Sequence, residues 1–161
     1  MNYPRIVVDT NKILAAALKQ GWIRTLLYQA PITPITPAQV IREAEEHAGE
    51  LAGKTGLSPE EFLLLVRKLI KDTATLVDPR QPYISRAKRI TNRFDPDDWP
   101  FIALALQEDA VLWTNDREII REAVSGDYRE YTAVDTTGLQ MILEGKSNGE
   151  VLRAMKARYL G

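Results

Sequence analysis

Short apolar segments alternate with helical segments along the whole chain, and this alternation restricts the fold more than any other feature of the sequence. Short apolar runs without a polar alternation are typical of strands buried on both faces of a parallel sheet. Such runs are RIVVD at 5–9, the segment 32–35, TATLVDP at 73–79, AVLWTND at 110–116 and part of REYTAVD at 129–135. The pattern therefore predicts an α/β fold, in which helices cover both faces of a parallel sheet of four to five strands.

The segments between these strands have the spacing of helices. The clearest helix start is at Ser58, because a proline follows it directly and a glutamate follows three residues later. Gly21 is expected to divide the first helical segment into two, and Gly53 or Gly56 to end the helix that begins near residue 38. Gly126 would stop a later one. Further helices are expected within residues 57–72, 82–94, 95–109, 117–126, 136–145 and 147–160.

The length and composition fit one domain that spans residues 1–161. The chain has no cysteine, which excludes a disulfide framework, a zinc site made of thiolates and a cysteine nucleophile. No apolar run reaches the roughly 18 residues that a membrane span requires, and the N-terminus lacks the pattern of a secretion signal. We therefore expect a soluble, cytoplasmic protein without membrane contact.

Charge is unevenly distributed along the chain, although the net charge is only −1. Eight basic residues lie within residues 67–93, against two aspartates. Three of the eight would share one face of a helix: Arg86, Arg89 and Arg93. Acidic residues gather in EAEEH (43–47) and in DPDD (95–98). The basic region would hold a polyanion and the acidic clusters a metal that processes it, but solvated helix faces explain either cluster alone more simply.

Two predicted strands end alike, in polar residues that include an aspartate. IVVDTN contains Asp9 and VLWTND contains Asp116. In a parallel sheet both would emerge at the same edge, where open α/β folds bind ligands. Glu43, in the first turns of the helix after the second strand, should lie near that edge, whereas the sequence does not determine which edge DPDD faces. Each acid also has a simpler explanation, as a helix cap or as an exposed helix residue.

Carboxylates that meet at one edge repel one another and need a cation if all are to remain ionised. Mg²⁺ and Mn²⁺ prefer oxygen ligands, and they bind through one or a few carboxylates while keeping several waters. Such an ion activates water and stabilises the charge on a phosphate. His47 is the sole histidine of the sequence, so acids are the ligands that this chain has to offer.

In these segments the chain resembles the PIN-domain ribonucleases, in particular the single-domain PIN proteins that are toxins of toxin–antitoxin pairs. The resemblance runs to residue 143 and rests on four motifs in a fixed order: VVDTNKIL, TPAQVIREAEEH, FDPDDWPFIALAL and VLWTNDREI. It implies a three-layer α/β/α sandwich with a central parallel sheet. Residues 1–143 form the matched core, and a C-terminal helix at 147–160 lies outside it.

The resemblance also implies which residues form the site. The acidic quartet of the family, which holds one or two Mg²⁺ or Mn²⁺ ions, falls on Asp9, Glu43, Asp98 and Asp116. Asn11 and Thr114 match positions that support the quartet. Asp95 is interpreted as a turn former before Pro96. An error in helix register would move the role of the glutamate to one of its neighbours, Glu45 or Glu46.

The function implied by the resemblance is cleavage of RNA by a metal-dependent endoribonuclease, whose partners are a small antitoxin protein and a second copy of the chain. Arg86, Arg89 and Arg93 would guide the RNA backbone, or else form a solvated stripe. Trp99 would stack on a base or belong to the core. A housekeeping RNA-processing nuclease and an RNA-binding module with a spent site are the alternatives. The intact quartet disfavours the second, and nothing in the sequence separates a toxin from a housekeeping enzyme.

Overall fold

The computed structural model describes residues 2–125 and 130–161, and its centre is a parallel sheet. In these residues the sheet has five strands, which fulfils the prediction made from the apolar runs. The strands are β1 (Arg5–Val8), β2 (Thr33–Thr36), β3 (Thr75–Leu76), β4 (Val111–Trp113) and β5 (Thr132–Val134). Some boundaries differ from the predicted ones: β2 begins one residue later than the predicted segment 32–35, and β3 has only two residues of the predicted segment 73–79.

The strand order β3-β2-β1-β4-β5 places β1 at the centre. β1 pairs in parallel with β2 on one side and with β4 on the other, where Val8 lies opposite Trp113. All three residues of the apolar run after Arg5 are fully buried, as expected for a strand covered on both faces. Because the pairings are parallel, the carboxyl ends of all strands lie at one edge, called here the carboxyl edge.

Helices flank the sheet and make the fold a three-layer α/β/α sandwich. They are α1 (Thr10–Leu18), α2 (Trp22–Gln29), α3 (Gln39–Thr55), α4 (Pro59–Thr73), α5 (Tyr83–Thr91), α6 (Trp99–Gln107), α7 (Arg117–Val124), α8 (Thr136–Leu143) and α9 (Asn148–Tyr159). α3 and α4 pack against α1, while α6 contacts β1, β4 and α5. In the described part of the chain, no helix has the length and apolarity that crossing a bilayer requires.

The helix boundaries follow local sequence signals. Ser58 and Glu61 form the expected capping box at the start of α4. α3 continues past Gly53 and ends at Gly56, whose φ of 76° is the left-handed conformation that glycine tolerates best. Gly21 separates α1 from α2 as predicted. The expected stop at Gly126 lies outside the described residues.

α5 is shorter than the sequence predicts, and the structure shows what the C-terminal helix α9 packs against. α5 ends at Thr91, so Arg93 lies beyond the helix that was expected to continue to residue 94. α9 is the C-terminal helix expected at residues 147–160, a segment that would cover a hydrophobic surface or form a dimer contact, and it packs on α7 and α8 and buries Val151 and Met155. The C-terminal helix is therefore part of the hydrophobic core.

Two helical glycines should respond in opposite ways to replacement by alanine. A Cβ at Gly53 would meet nothing within 4 Å, so Gly53→Ala should raise the free energy of unfolding by about 0.5–1 kcal/mol through lower entropy of the unfolded chain. A Cβ at Gly138 would lie 2.7 Å from Cβ of Val134, so Gly138→Ala should lower it by roughly 1–3 kcal/mol. Urea unfolding measures both, and a shift of the same sign in both variants would contradict the packing described here.

Candidate active site

The four acids of the predicted quartet come from four different elements. Asp9 follows β1, and Asp116 follows the turn after β4, so both lie at the carboxyl edge. Glu43 is in the second turn of α3, and Asp98 lies between a short 3-10 helix and α6. All four side chains are half-buried, which leaves each of them partly accessible to solvent.

Thr114 connects two of the acids. Its side chain is fully buried, and its hydroxyl donates a hydrogen bond to Oδ2 of Asp9 (2.5 Å). The hydroxyl oxygen of Thr114 also accepts a hydrogen bond from the backbone N–H of Asp116 (3.0 Å). The backbone N–H of Thr114 donates to the carbonyl of Val134 on the neighbouring strand β5 (3.0 Å). Thr114 therefore holds the ends of β1 and β4 together at the point where their aspartates emerge, which supports the role that the sequence resemblance gave it.

Asp9 does not act as a helix cap through its side chain. Asp9 occupies the N-cap position of α1, but its carboxylate accepts no hydrogen bond from the backbone N–H groups of residues 11 and 12 in the first turn. Burial raises the pKa of its carboxyl above the usual range, and the charges of Glu43 and Asp116 raise it further. The hydroxyl of Thr114 and the N–H of Thr10 oppose this rise. The carboxylate is thus held at an electrostatic cost that a simple cap would not carry.

Asp116 has two roles, because one of its oxygens does cap α7. Oδ1 accepts the backbone N–H groups of Glu118 (2.9 Å) and Ile119 (3.2 Å). The capping interpretation is therefore correct for this residue, but it does not exclude a second role for the remaining oxygen. The cap fixes the carboxylate at the positive end of the helix, where a negative charge is favourable.

Asp98 is the most perturbed acid of the set. Asp95 caps the 3-10 helix by accepting the N–H of Asp97 (3.0 Å), which agrees with its expected role as a turn former. Oδ2 of Asp98 is buried and has no hydrogen-bond partner within residues 2–125 and 130–161. Burial, followed by the charges of Asp95, Asp116, Asp9 and Glu43, raises the pKa of Asp98 to about 7.

The four acids lie near enough for their charges to act on one another. The charges of Asp9, Glu43 and Asp116 each raise the pKa of Asp98, so Asp98 lies near the acids of the carboxyl edge, which the sequence alone did not determine. A buried carboxylate oxygen without a partner, beside three further acids, fits a divalent cation better than it fits a purely structural role.

The acids do not form a closed metal cage. Among the residues that the structure describes, no three acidic or histidine side chains are grouped closely enough to hold one ion together. An ion such as Mg²⁺ keeps several waters and needs only one or two direct carboxylate contacts, so the arrangement is compatible with it.

The neighbours of Glu43 have other environments. Glu43 accepts a hydrogen bond from Nε2 of Gln39 (3.3 Å), and its charge contributes to the raised pKa values of Asp9 and Asp98. Glu45 instead pairs with Arg67 at 3.2 Å, and both side chains are exposed. Glu46 and His47 are exposed as well. The electrostatic coupling therefore favours Glu43 over the alternatives in its cluster.

The predicted supporting and RNA-guiding residues lie in mixed environments. The side chain of Asn11 is exposed, whereas the side chain of Thr114, the other predicted supporting residue, is buried. Arg86 pairs with Glu130 at 3.6 Å and Arg93 with Glu122 at 3.5 Å, and Arg89 is exposed. Two of the three arginines are thus engaged with acids of the same protein.

Trp99, beside Asp98, is half-buried and packs against the core. Nζ of Lys88 lies 4.9 Å from the centre of its ring. These contacts favour the core interpretation of Trp99 over a free stacking surface.

Sequence reasoning missed Lys12. Its side chain is only 3% exposed, and its Nζ donates hydrogen bonds to Oδ1 of Asn115 (2.8 Å) and Oγ1 of Thr136 (3.2 Å). The available signal was a lysine on the first turn after Asp9, directly before the apolar run ILAAAL. Such a position is expected to be buried, and a buried lysine requires partners.

Comparison with known proteins agrees with the fold. A family model described as PIN domain matches residues 7–137. A similar fold occurs in the crystal structure of VapBC2 from Rickettsia felis bound to a DNA fragment from their promoter, with a TM-score of 0.59 and 14% sequence identity. That match covers 81% of this chain and 98% of the other. No curated protein sequence matches the chain.

The raised pKa of Asp98 predicts how stability depends on pH when no divalent ion is bound. The folded protein binds the proton more tightly than the unfolded chain, so folding stability should fall as pH rises from about 4 to about 7. Asp98→Asn should remove this part of the fall, and its advantage over wild type should grow through the same window. Urea unfolding in chelator measures the difference.

The matched control for this experiment is Asp97→Asn, since Asp97 is the exposed neighbour of Asp98. A constant difference between Asp98→Asn and wild type from pH 4 to pH 7 would mean that Asp98 titrates normally.

Proposed function

Because the chain belongs to the PIN-domain family, whose members are nucleases, we propose that it is an Mg²⁺- or Mn²⁺-dependent endoribonuclease and the toxin of a toxin–antitoxin pair. The observation that carries the proposal is Oδ2 of Asp98, a buried oxygen without a hydrogen-bond partner in the described part of the chain, on a carboxyl group that the charges of Asp9, Glu43 and Asp116 reach. An acidic pocket of this kind repels RNA unless a cation is bound, so the acids themselves imply the cofactor.

The residues of the site have distinct roles in this proposal. One or two of the carboxylates of Asp9, Asp98 and Asp116 would bind the cation directly and the remainder through its waters, and Glu43 would complete its surroundings or orient the attacking water. The bound ion supplies the positive charge that activates water and stabilises the phosphate during cleavage. Thr114 keeps Asp9 and Asp116 at a fixed separation through its hydroxyl. No side chain of the protein has to act as a nucleophile.

RNA as the substrate is supported by the basic residues in α5 and directly after it. Arg89 is exposed and available to a phosphate, while Arg86 and Arg93 would have to exchange their glutamate partners for the RNA backbone. Phosphate contacts of this kind would position the RNA without selecting its sequence.

Purified protein should cleave a mixed RNA sample in Mn²⁺ or Mg²⁺, and chelator should abolish the cleavage. Asp98→Asn should reduce the cleavage rate by roughly 100-fold or more, because it removes a direct ligand, whereas loss of an outer contact typically costs about 10–100-fold. Gel analysis of the products measures the rate. Cleavage by Asp98→Asn at the rate of wild type, or undiminished cleavage in chelator, would remove the nuclease proposal.

Thr114→Val provides a graded variant of the same experiment. It keeps the shape of the side chain but loses the hydroxyl that joins the aspartates, so the expected loss is about 10–100-fold. Thr33→Val is the matched control, because Thr33 is exposed at the start of β2, away from the carboxyl edge.

The antitoxin partner is supported by the fold shared with VapBC2, which was crystallised as a complex. A housekeeping nuclease would have the same site without such a partner, so the two functions differ in their effect on a cell rather than in their chemistry. The homodimer and the cytoplasmic location stay predictions.

Expression of the chain alone in bacteria should arrest growth if it is a toxin, and Asp98→Asn should relieve the arrest because the site no longer binds its cation. Colony counts after induction measure the effect, with protein levels compared by immunoblot. Normal growth at an equal level of active wild-type protein would assign the chain to the housekeeping class.

A further inference from the structure

Lys12 is a buried cation beside the acidic site. It lies on the first turn of α1, three residues after Asp9, and is 3% exposed. Burying an ammonium group is costly unless it gains hydrogen bonds and a compensating charge. The position of this lysine therefore requires an explanation in terms of its surroundings.

The hydrogen-bond partners of Lys12 are neutral. Nζ donates to Oδ1 of Asn115 and to Oγ1 of Thr136, and it lies 5.3 Å from the centre of the Trp113 ring. Nε1 of Trp113 donates to the same threonine oxygen (3.1 Å). These contacts satisfy two of the three donors of the ammonium group and add a cation–π interaction, but both hydrogen-bond acceptors are neutral and carry no charge to balance it.

The charges that act on Lys12 come from Asp9 and Asp135. Burial lowers the pKa of Lys12, and the charges of these two acids oppose the shift. Asp135 already has its own partners, since Oδ2 forms an ion pair with Arg158 Nε (3.0 Å) and accepts a hydrogen bond from Tyr159 OH (2.7 Å). Its Oδ1 accepts the N–H of Gly138 (2.9 Å). Asp135 is therefore compensated by the end of α9, whereas Asp9 has no ion-pair partner within 4 Å among the described residues.

We propose that Lys12 is a positioning residue that supplies a permanent positive charge to the acidic site and ties the turn carrying Asp116 to α1 through Asn115. The inference rests on the proposed function, in which the same acids hold a divalent ion. Lys12 balances one of the four negative charges, so that the acids gather at the carboxyl edge before an ion arrives. The ion then competes with the charge of Lys12 for the same acids, so Lys12 stabilises the ion-free site and lowers the affinity for the ion.

Lys12→Met keeps the length of the side chain and removes its charge. In chelator this variant should unfold at a lower temperature than wild type, because the acids lose their internal counter-charge. Mn²⁺ should stabilise it more than it stabilises wild type, since a divalent ion is attracted more strongly once the competing cation is gone. Roughly tenfold tighter binding would make the Mn²⁺-induced rise in Tm about 3–6 °C larger at saturating ion.

Lys19→Met is the matched control, because Lys19 is an exposed lysine at the C-terminal end of the same helix. It should show the same Mn²⁺-induced rise in Tm as wild type. A rise in Lys12→Met that equals or falls below that of wild type would overturn the proposal, because a lysine with a purely structural role would leave the ion no more strongly attracted.

A double-mutant cycle with Asp9→Asn separates the charge of Lys12 from its hydrogen bonds, and it also applies if Lys12→Met does not fold in chelator. The bonds to Asn115 and Thr136 are lost in both backgrounds, whereas the charge matters only while Asp9 is ionised. Lys12→Met should therefore destabilise the Asp9→Asn protein less than it destabilises wild type. Equal destabilisation in both backgrounds, or a double variant that remains unfolded, would overturn the proposal.

Neither the Mn²⁺-induced rise in Tm nor the double-mutant cycle uses RNA. A wild-type protein that binds Mn²⁺ but cleaves no RNA would remove the proposed function and leave the role of Lys12 to be decided by the cycle. An active nuclease in which Lys12 shows no coupling to Asp9 would remove only the role of Lys12.

Discussion

The parallel pairing of β1 with β4 is the contact on which the site depends. The two strands are far apart in sequence, yet their register sets Val8 opposite Trp113, so the polar residues that follow each strand emerge at the same level. The backbone N–H of Asp9 reaches the carbonyl of Trp113 (3.2 Å), and one residue further the hydroxyl of Thr114 reaches Asp9. A shift of one residue in this register would turn the side chains to opposite faces and separate the two aspartates.

Mutual repulsion is the cost of gathering acids at this edge, and the fold offsets it unevenly. Asp116 is stabilised by the N-terminus of α7, and Asp9 by the hydroxyl of Thr114 together with the backbone N–H of Thr10. Asp98 receives no comparable help, and its pKa rises accordingly. A divalent ion would therefore contribute most to the stability of the folded chain at Asp98, because a ligand that binds only the folded state stabilises it.

Much of the fold could be predicted from the sequence because its signals are local. The apolar run after Arg5, the cap at Ser58 and the break at Gly21 each report on their own segment, and the structure agrees with all three. Asp9 and Asp116 could be placed at one edge because parallel strands share a direction. The predicted helix over residues 82–94 was too long, since its C-terminal signal is weak: it has no glycine or proline at its end.

The parts of the site that could not be predicted depend on tertiary placement. Residues 95–98 form a capped 3-10 turn whose direction is set by the packing of α6, so no periodicity reveals which edge Asp98 faces. Lys12 was missed because a charged residue in a helix is usually exposed, and its partners are more than a hundred positions away. Asn11 was expected to support the acids from its place in a motif, yet its side chain is exposed.

The separation of β1 and β4 in sequence also governs the order in which the molecule can be completed. The hydroxyl that binds Asp9 belongs to a residue 105 positions later in the chain. During synthesis the first aspartate therefore waits, without its neighbours, until most of the polypeptide has left the ribosome, and contacts of such long range are made slowly. The acidic edge of the sheet is consequently incomplete throughout most of translation, and it can form only after the central strand has paired with β4.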